Sequence, residues 1–167
     1  CCAPMPQCHG GAVVAAADKS TIVVAGGHDN VVGATKEVHA YDVLKDSWVS
    51  LPPMPLPVHG AAACVTPCSN LLVAGGSGET SGQSDALQVY DTALRAWSLG
   101  EQMPAHRYAS TAGRGVLLGS DLLIVGGFDE NSCPSELVLS YHTLNHVWST
   151  SAYPPLPSAR SRFRAAS

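Results

Sequence analysis

The chain has 167 residues, of which 46% are hydrophobic and only 13% are charged, a balance that excludes an intrinsically disordered chain. Its length predicts about one domain, and its net charge of −4 argues against nucleic acid as a partner, because such surfaces carry a clustered basic excess. No apolar run approaches the roughly 18 residues of a membrane-spanning helix, so no membrane partner is expected.

Three apolar runs that end on a Gly-Gly doublet are predicted to be strands. In chain order they are STIVVAGG, NLLVAGG and DLLIVGG, and each follows a turn and a second run of small and β-branched residues. After each doublet come a polar loop, then KEVHAYD, DALQVYD or SELVLSYH, then a turn and a segment that contains tryptophan. Each unit therefore predicts four short strands, and no period of 3.6 residues indicates a helix.

The runs before the doublets are apolar at consecutive positions rather than at alternating ones. A strand with one solvent-facing side shows alternation, whereas a strand buried on both sides does not. We therefore expect each unit to form a small sheet that is stacked between neighbouring sheets.

The units are repeats of one pattern. A tyrosine follows the second glycine of each doublet by 14 residues, a tryptophan follows the tyrosine by 7, and the whole pattern recurs at intervals of 49 and 51 residues. Met-Pro pairs at 5–6, 54–55 and 103–104 are a further mark of the repeat. The structural positions are Gly26, Gly27, Tyr41 and Trp48; Gly75, Gly76, Tyr90 and Trp97; and Gly126, Gly127, Tyr141 and Trp148.

The spacing of tyrosine and tryptophan predicts a hairpin. A turn of two or four residues centred between Leu44 and Lys45 places Tyr41 directly opposite Trp48 as a cross-strand aromatic pair. The other two units give the same pairing. The doublet is expected to need glycine for one of two reasons: the backbone has a positive φ, or an aromatic ring lies over a surface without Cβ.

A period of about 50 residues with Gly-Gly, tyrosine and tryptophan in this order resembles the kelch repeat. In that family each repeat is one four-stranded blade of a β-propeller, so the resemblance implies an all-β fold. The implied organisation is the end of a preceding repeat at 1–9, blades at 10–58, 59–107 and 108–159, and the start of a further repeat at 160–167. The third unit departs from the pattern, because His142 stands where the others have aspartate, and its turn lacks a residue that helps to shape it.

Propellers close with about four to eight blades, whereas three complete units are present here. The resemblance therefore implies a segment of a longer propeller, six-bladed by family habit, in which the remaining blades complete the ring. The alternative is a ring that is completed by a second copy. The stretch GGHDN…YDVLKDSWVSLPPMP is similar to plant-type F-box/kelch-repeat proteins, in which the propeller recruits a substrate for ubiquitination.

Catalytic and metal-binding motifs are missing from the sequence. GGSGETSG lacks the Lys-Ser/Thr ending of a phosphate loop, and no histidine belongs to an H-E-x-x-H motif. A zinc site formed by Cys1, Cys2, Cys8 and His9 is an alternative, but their terminal position without hairpin spacing favours free thiols. We therefore expect no enzyme activity, no metal and no cofactor.

The six cysteines also bear on location. They lack the dense, even spacing of a disulfide framework, and no Asn-x-Ser/Thr sequon is present. Both features favour a reducing setting, so the expected location is the cytoplasm, with the nucleus as an alternative.

The loops are expected to carry the function. The loop after each doublet and the link that leads to the next blade should lie on one face, where a rigid scaffold commonly presents binding residues. Asp29 has a second interpretation as a cap of its own loop, and Phe128 as a plug into its own blade. The candidate partner-binding residues are His28, Asp29, His59, Glu79, Arg107, Phe128, Asp129, Glu130 and Arg160.

Arg107 and Arg160 occupy the same place in their links, three residues after a proline. In kelch substrate receptors that place often carries arginine at the mouth of the channel, where a guanidinium suits a carboxylate or a phosphate. We therefore expect both side chains to be partly exposed and to point toward the axis. The alternative is that each pairs with an acidic loop residue such as Asp129 or Glu130.

The predicted function is that of a non-enzymatic module that binds a protein or peptide, with substrate recognition for a ubiquitin ligase as the finer hypothesis. One alternative is a catalytic kelch propeller whose active residues lie outside this segment. The other is a structural kelch subunit of a large assembly, for example in the cytoskeleton.

Overall fold

The computed structural model describes residues 2–7, 10–29, 31–78, 82–107 and 115–161. These ranges form three four-stranded antiparallel sheets and one short ribbon. They contain no helix, and accordingly none long and apolar enough to cross a membrane. The predicted all-β class with three four-stranded units is confirmed, whereas the repeat boundaries given above stay a prediction.

Each sheet is an up-and-down meander, which we call a blade. Blade 1 contains β1 (Val13–Ala16), β2 (Thr21–Ala25), β5 (Val38–Asp42) and β6 (Ser47–Leu51), and the ribbon β3 (His28–Asp29) with β4 (Gly33–Ala34) lies in its loop. Blade 2 contains β7 (Ala62–Val65), β8 (Leu71–Ala74), β9 (Leu87–Asp91) and β10 (Ala96–Leu99). Blade 3 contains β11 (Val116–Leu118), β12 (Asp121–Val125), β13 (Val138–His142) and β14 (Val147–Ser149).

The hydrophobic core lies between the blades rather than within one of them. In β8, Leu71 and Val73 pack into a cluster with blade 1, whereas the alternate residues Leu72 and Ala74 pack into a second cluster with blade 3. All four side chains are buried. The expectation that both faces of this strand are covered is confirmed, and burial on two sides explains why its sequence is apolar throughout.

The aromatic pairs have the predicted register. Tyr41 is the direct cross-strand partner of Trp48, and the equivalent residues pair in the same way in blades 2 and 3. The ring centroids within the three pairs are 5.0, 5.1 and 4.9 Å apart. Each indole N–H also donates to a carbonyl of the preceding link, as when Trp97 donates to Pro52 at 2.8 Å. The pair therefore joins each blade to the segment before it.

The first glycine of each doublet has a positive φ, and in blades 1 and 2 its surrounding is tightly filled. Gly26 has a φ of 63°, and an added Cβ would lie 2.4 Å from the carbonyl oxygen of Val58 and 2.9 Å from the methyl group of Met54. Gly75 faces the same two kinds of neighbour, with Met103 in the equivalent place. Of the two expected reasons for glycine, the positive φ is confirmed. The atoms that pack against Gly26 and Gly75 belong to a carbonyl group and a methionine side chain, not to an aromatic ring. The methionine of the Met-Pro pair recurs because its side chain packs against this glycine in blades 1 and 2.

The third hairpin retains its turn without the expected aspartate. In blade 1 the carboxylate of Asp42 accepts the N–H groups of Leu44 and Lys45, both at 3.0 Å. In blade 3 the Nδ1 atom of His142 accepts the N–H of Asn145 at 3.2 Å. The imidazole thus replaces the carboxylate as the acceptor that closes the turn, a substitution that the sequence did not predict.

Candidate functional site

The loops and the links meet on one end of the blades because the doublets hold them together. The N–H of the second glycine in each doublet donates to a carbonyl of the link that follows the same blade. The accepting residues are Val58, Arg107 and Arg160, at 2.8, 2.7 and 2.8 Å. These three residues are therefore structurally equivalent. We call the end of the blades where they lie the loop face.

Arg107 lies in the predicted place but is buried, with 4% of its surface exposed. Its guanidinium donates to the carbonyl of His106 at 2.6 Å and to the hydroxyl of Ser135 at 3.2 Å. Burial lowers the pKa of Arg107, which the nearby charges of Asp129 and Glu130 partly offset. The expectation that this side chain is partly exposed is wrong, because the loop of blade 3 closes over it.

Arg160 differs from Arg107 because its side chain is exposed. Its Nε donates to the hydroxyl of Ser158 at 3.3 Å, and its backbone N–H donates to the carbonyl of Ser135 at 3.1 Å. The two arginines thus share a backbone position but not an environment. Only Arg160 presents its guanidinium to solvent.

Asp29 and Asp129 are engaged within their own loops. The carboxylate of Asp29 accepts the N–H of Val31 at 2.6 Å, and the carboxylate of Asp129 accepts the N–H groups of Asn131 and Cys133, both at 2.9 Å. These bonds correspond to the capping interpretation. Each aspartate shapes the loop that follows its doublet.

The remaining candidates have varied positions. His28 and His59 come together, with ring centroids 5.4 Å apart in an edge-on contact. Phe128 is half-buried and forms an isolated β-bridge with Pro134. Glu79 lies outside the described residues.

A cleft of about 520 Å³ opens on the loop face between blades 2 and 3. It is lined mainly by residues with polar side chains, and two of the candidates, His59 and Glu130, are among them. Gln83 donates from its amide to the hydroxyl of Ser132 at 3.3 Å, which ties the two loops together across the cleft. The lining residues are His59, Ser77, Gly82, Gln83, His106, Glu130 and Ser132. We call this the polar cleft.

A second cavity of about 390 Å³ shares His106 and Glu130 with the polar cleft. Asp85 and Asp129 line it as well, so three carboxylates surround it. Asp85 accepts a hydrogen bond from Gln102, which lies in the link after blade 2. We call this the acidic cavity.

His106 stands between the two spaces. Its Nδ1 lies 3.0 Å from the carbonyl of Gln83, and its Nε2 lies 3.8 Å from the carboxylate of Asp85. The pKa of His59, at the other end of the polar cleft, is lowered by burial and further by the charge of His28. The two imidazoles of the cleft are therefore held in different environments.

Neither Gln83 nor Asp85 nor Ser132 was singled out from the sequence. They are ordinary loop residues with no motif spacing, and only the packing of neighbouring loops brings them to the cleft. The repeat period could have indicated this contact, since Gln83 and Ser132 are 49 residues apart, which is the interval between the first two repeats.

No group of three or more potential metal ligands occurs among the described residues. The cysteines in those ranges are free thiols, and they are Cys2, Cys64, Cys68 and Cys133. Three members of the alternative zinc site, Cys1, Cys8 and His9, lie outside the described residues.

Comparisons with known proteins bear on the family and the fold. The model of the Kelch motif matches residues 10–55, and no curated protein sequence matches significantly. Among solved structures the chain is similar to one titled "Structure of YjhT", with a TM-score of 0.79 and 18% sequence identity over 96% of this chain. The chain spans 56% of that chain's length, and at this identity the likeness shows the fold alone. A Kelch motif is therefore shown for the first unit, and the three four-stranded blades agree with the fold of a kelch propeller segment.

Proposed function

We propose that the chain is a non-enzymatic module that binds a protein or peptide through its loop face. Kelch propellers are generally protein-interaction domains. The observation that supports this function most strongly is the polar cleft, which is about 520 Å³ in volume and is framed by loops from two blades. Loops held on a rigid scaffold are where binding residues concentrate.

The charges around the cleft favour a partner that carries hydrogen-bond donors. Glu130 is exposed and lines both the polar cleft and the acidic cavity. Arg107, the cation that would attract an acidic partner here, is buried and already donates to Ser135. We therefore infer that a lysine or arginine of the partner enters beside Glu130. The net charge of −4 also supports a protein partner over nucleic acid.

A finer proposal is that the partner is a substrate presented to a ubiquitin ligase in the cytoplasm. It rests on the resemblance of the first unit to plant-type F-box/kelch-repeat proteins. The presence of an F-box in the full-length protein would decide it.

We also propose that further blades are partners of this segment. Val14 is 45% exposed on blade 1, whereas Ala63, at the equivalent position of blade 2, is 4% exposed under blade 1. Ile22 is likewise half-exposed, while its equivalent Leu71 is 2% exposed. Blade 1 therefore presents an apolar face of the kind that is covered between blades, either by the rest of a ring or by a second copy.

Selection from a displayed peptide library tests the binding function. The chain is expected to enrich peptides with a lysine or arginine, and Glu130→Gln should weaken the best peptide about tenfold, as expected for the loss of one charged hydrogen bond. Glu37→Gln is the matched control, because Glu37 is an exposed glutamate that lines neither space. Equal affinities for both variants would place the peptide elsewhere, and a failure to enrich any peptide would contradict the function.

A further inference from the structure

The turn of each hairpin contains one residue in the left-handed region, and it differs among the blades. These residues are Asp46, Arg95 and His146, with φ values of 49°, 53° and 58°. Each lies five residues after the tyrosine of the aromatic pair. The equivalent position thus carries an anion, a cation and an imidazole in turn.

In blades 1 and 3 this residue forms a hydrogen bond with the tyrosine hydroxyl. Tyr41 donates to the carboxylate of Asp46, and the hydroxyl of Tyr141 lies 2.9 Å from Nδ1 of His146. Blade 2 cannot form this bond, because arginine has only donors. The hydroxyl of Tyr90 accordingly has no hydrogen-bond partner among the described residues, although Tyr90 is only 4% exposed.

A cavity of about 300 Å³ lies between blades 1 and 2, on the side of Tyr90 that faces blade 1. It opens at the hairpin turns, at the opposite end of the blades from the loop face, and both Tyr90 and Arg95 line it. The other walls are mainly apolar, with Val23, Leu51 and Leu71 among them. Arg95 is exposed and forms no ion pair with a described residue.

The equivalent cavity between blades 2 and 3 is an internal comparison. It also has a volume of about 300 Å³, and Tyr141 and His146 line it in the same places. There the hydroxyl is already bonded to the imidazole. Two donors without acceptors therefore distinguish the cavity between blades 1 and 2 from its counterpart.

We propose that the cavity between blades 1 and 2 binds a small molecule that carries a carboxylate on an apolar body. The carboxylate would accept from the Tyr90 hydroxyl and from the Arg95 guanidinium, a geometry in which arginine binds carboxylates well. The apolar body would occupy the space beside Val23 and Leu71. A volume of about 300 Å³ is at the lower limit for small-molecule sites, which sets the size of the ligand near one aromatic ring with a short chain.

Asp18 is the one carboxylate on the wall of this cavity. It is engaged in its own turn, where it accepts the backbone N–H of Ser20 at 2.7 Å and the hydroxyl of the same residue at 2.9 Å. These bonds lower the pKa of Asp18, so it remains ionised and repels an incoming carboxylate. Replacing it by asparagine should therefore tighten binding.

The test uses 3-phenylpropionate as the probe and 3-phenylpropionamide, which has nearly the same shape without the charge, as its control. Binding to the chain is measured by ligand-observed NMR and calorimetry. We expect the acid to bind and the amide to bind about tenfold more weakly, because the charged hydrogen bonds are lost. Equal binding of acid and amide, or no binding of the acid at millimolar concentration, would overturn the proposal.

Variants locate the site. Arg95→His introduces the residue that blade 3 has at this position, so it preserves the turn while it supplies an acceptor for Tyr90. Arg95→His and Tyr90→Phe should each weaken the acid about fivefold to tenfold, and Asp18→Asn should tighten it. Arg160→His makes the same substitution at an exposed arginine of the loop face and should leave the affinity unchanged. Unchanged binding in Arg95→His, with an unchanged unfolding midpoint, would exclude this cavity.

Discussion

Replacing Gly75 by alanine should destabilise the protein far more than replacing Gly119. Both glycines have left-handed backbones, with φ values of 70° and 60°. An added Cβ at Gly119 meets no atom within 4 Å, whereas at Gly75 it would lie 2.2 Å from the carbonyl oxygen of Arg107. The pair therefore separates the cost of the backbone conformation from the cost of the contact.

The magnitude follows from adding these costs. A left-handed conformation costs a non-glycine residue about 1–2 kcal/mol, which is all that Gly119→Ala should lose. At Gly75 the carbonyl of Arg107 must also move away, but it is held by the N–H of Gly76 at 2.7 Å. Loss of that bond costs about 1 kcal/mol, and overpacking costs about 1–3 kcal/mol more. Gly75→Ala should therefore lose about 3–6 kcal/mol in total.

Urea unfolding followed by the fluorescence of the tryptophans measures both free energies. The double variant Gly75→Ala/Met103→Ala separates the two neighbours of Gly75, because the Met103 methyl lies 3.1 Å from the added Cβ. If the carbonyl is the obstacle, removing the methionine does not restore stability. Equal losses for Gly75→Ala and Gly119→Ala, or full rescue by Met103→Ala, would refute the reasoning.

Three further predictions concern the core, a histidine and a thiol. Trp97→Ala should lower the free energy of unfolding in urea by roughly 3–5 kcal/mol, since it leaves a cavity between blades and removes the hydrogen bond to the Pro52 carbonyl. A loss near 1 kcal/mol would contradict the packing of Trp97 between blades. Burial holds the pKa of His59 in the folded state below its ordinary value of 6.5. The unfolded state therefore binds more protons, and the free energy of unfolding falls as the pH drops below about 6.5. The difference in urea midpoint between pH 7.5 and pH 5.5 should be smaller in His59→Gln than in the unmodified chain. Burial raises the pKa of the Cys64 thiol to about 12, so at pH 8 a thiol reagent should modify exposed Cys68 quickly and Cys64 only on unfolding, as mass spectrometry would show.

The fold could be predicted because its determinants are local and repeated. The spacing from Tyr41 to Trp48 fixes the hairpin register, since a four-residue turn permits only one partner for each residue. The apolar residues at consecutive positions of β8 indicate that both faces of this strand are buried, as the two core clusters show. Both features can be inferred from the sequence of a single repeat, without knowing which loops contact one another in the folded protein.

The candidate site was less predictable because its properties arise between repeats. The link position of Arg107 was evident from the sequence, but its burial depends on the loop of blade 3, which brings Ser135 to the guanidinium. Gln83 and Ser132 contact one another only because blades 2 and 3 are adjacent. Arg160, with the same spacing from its proline, stays exposed, so spacing alone could not distinguish the two arginines.

Positions that are equivalent in the three blades but carry different residues are not fixed by the fold, so they are candidates for a function of one blade. The first glycine of the doublet is the same residue in every blade because its φ is positive throughout, and in blades 1 and 2 a carbonyl also fills the space of a Cβ. The hairpin position has three solutions, and only Arg95 leaves the tyrosine of its blade without a hydrogen-bond partner for its hydroxyl among the described residues. Since Asp46 and His146 show that the fold can satisfy that hydroxyl, the fold does not require arginine there. A carboxylate ligand would give the Tyr90 hydroxyl and the Arg95 guanidinium the acceptor that blade 2 lacks, which is why we propose the site in this cavity and not in the one between blades 2 and 3.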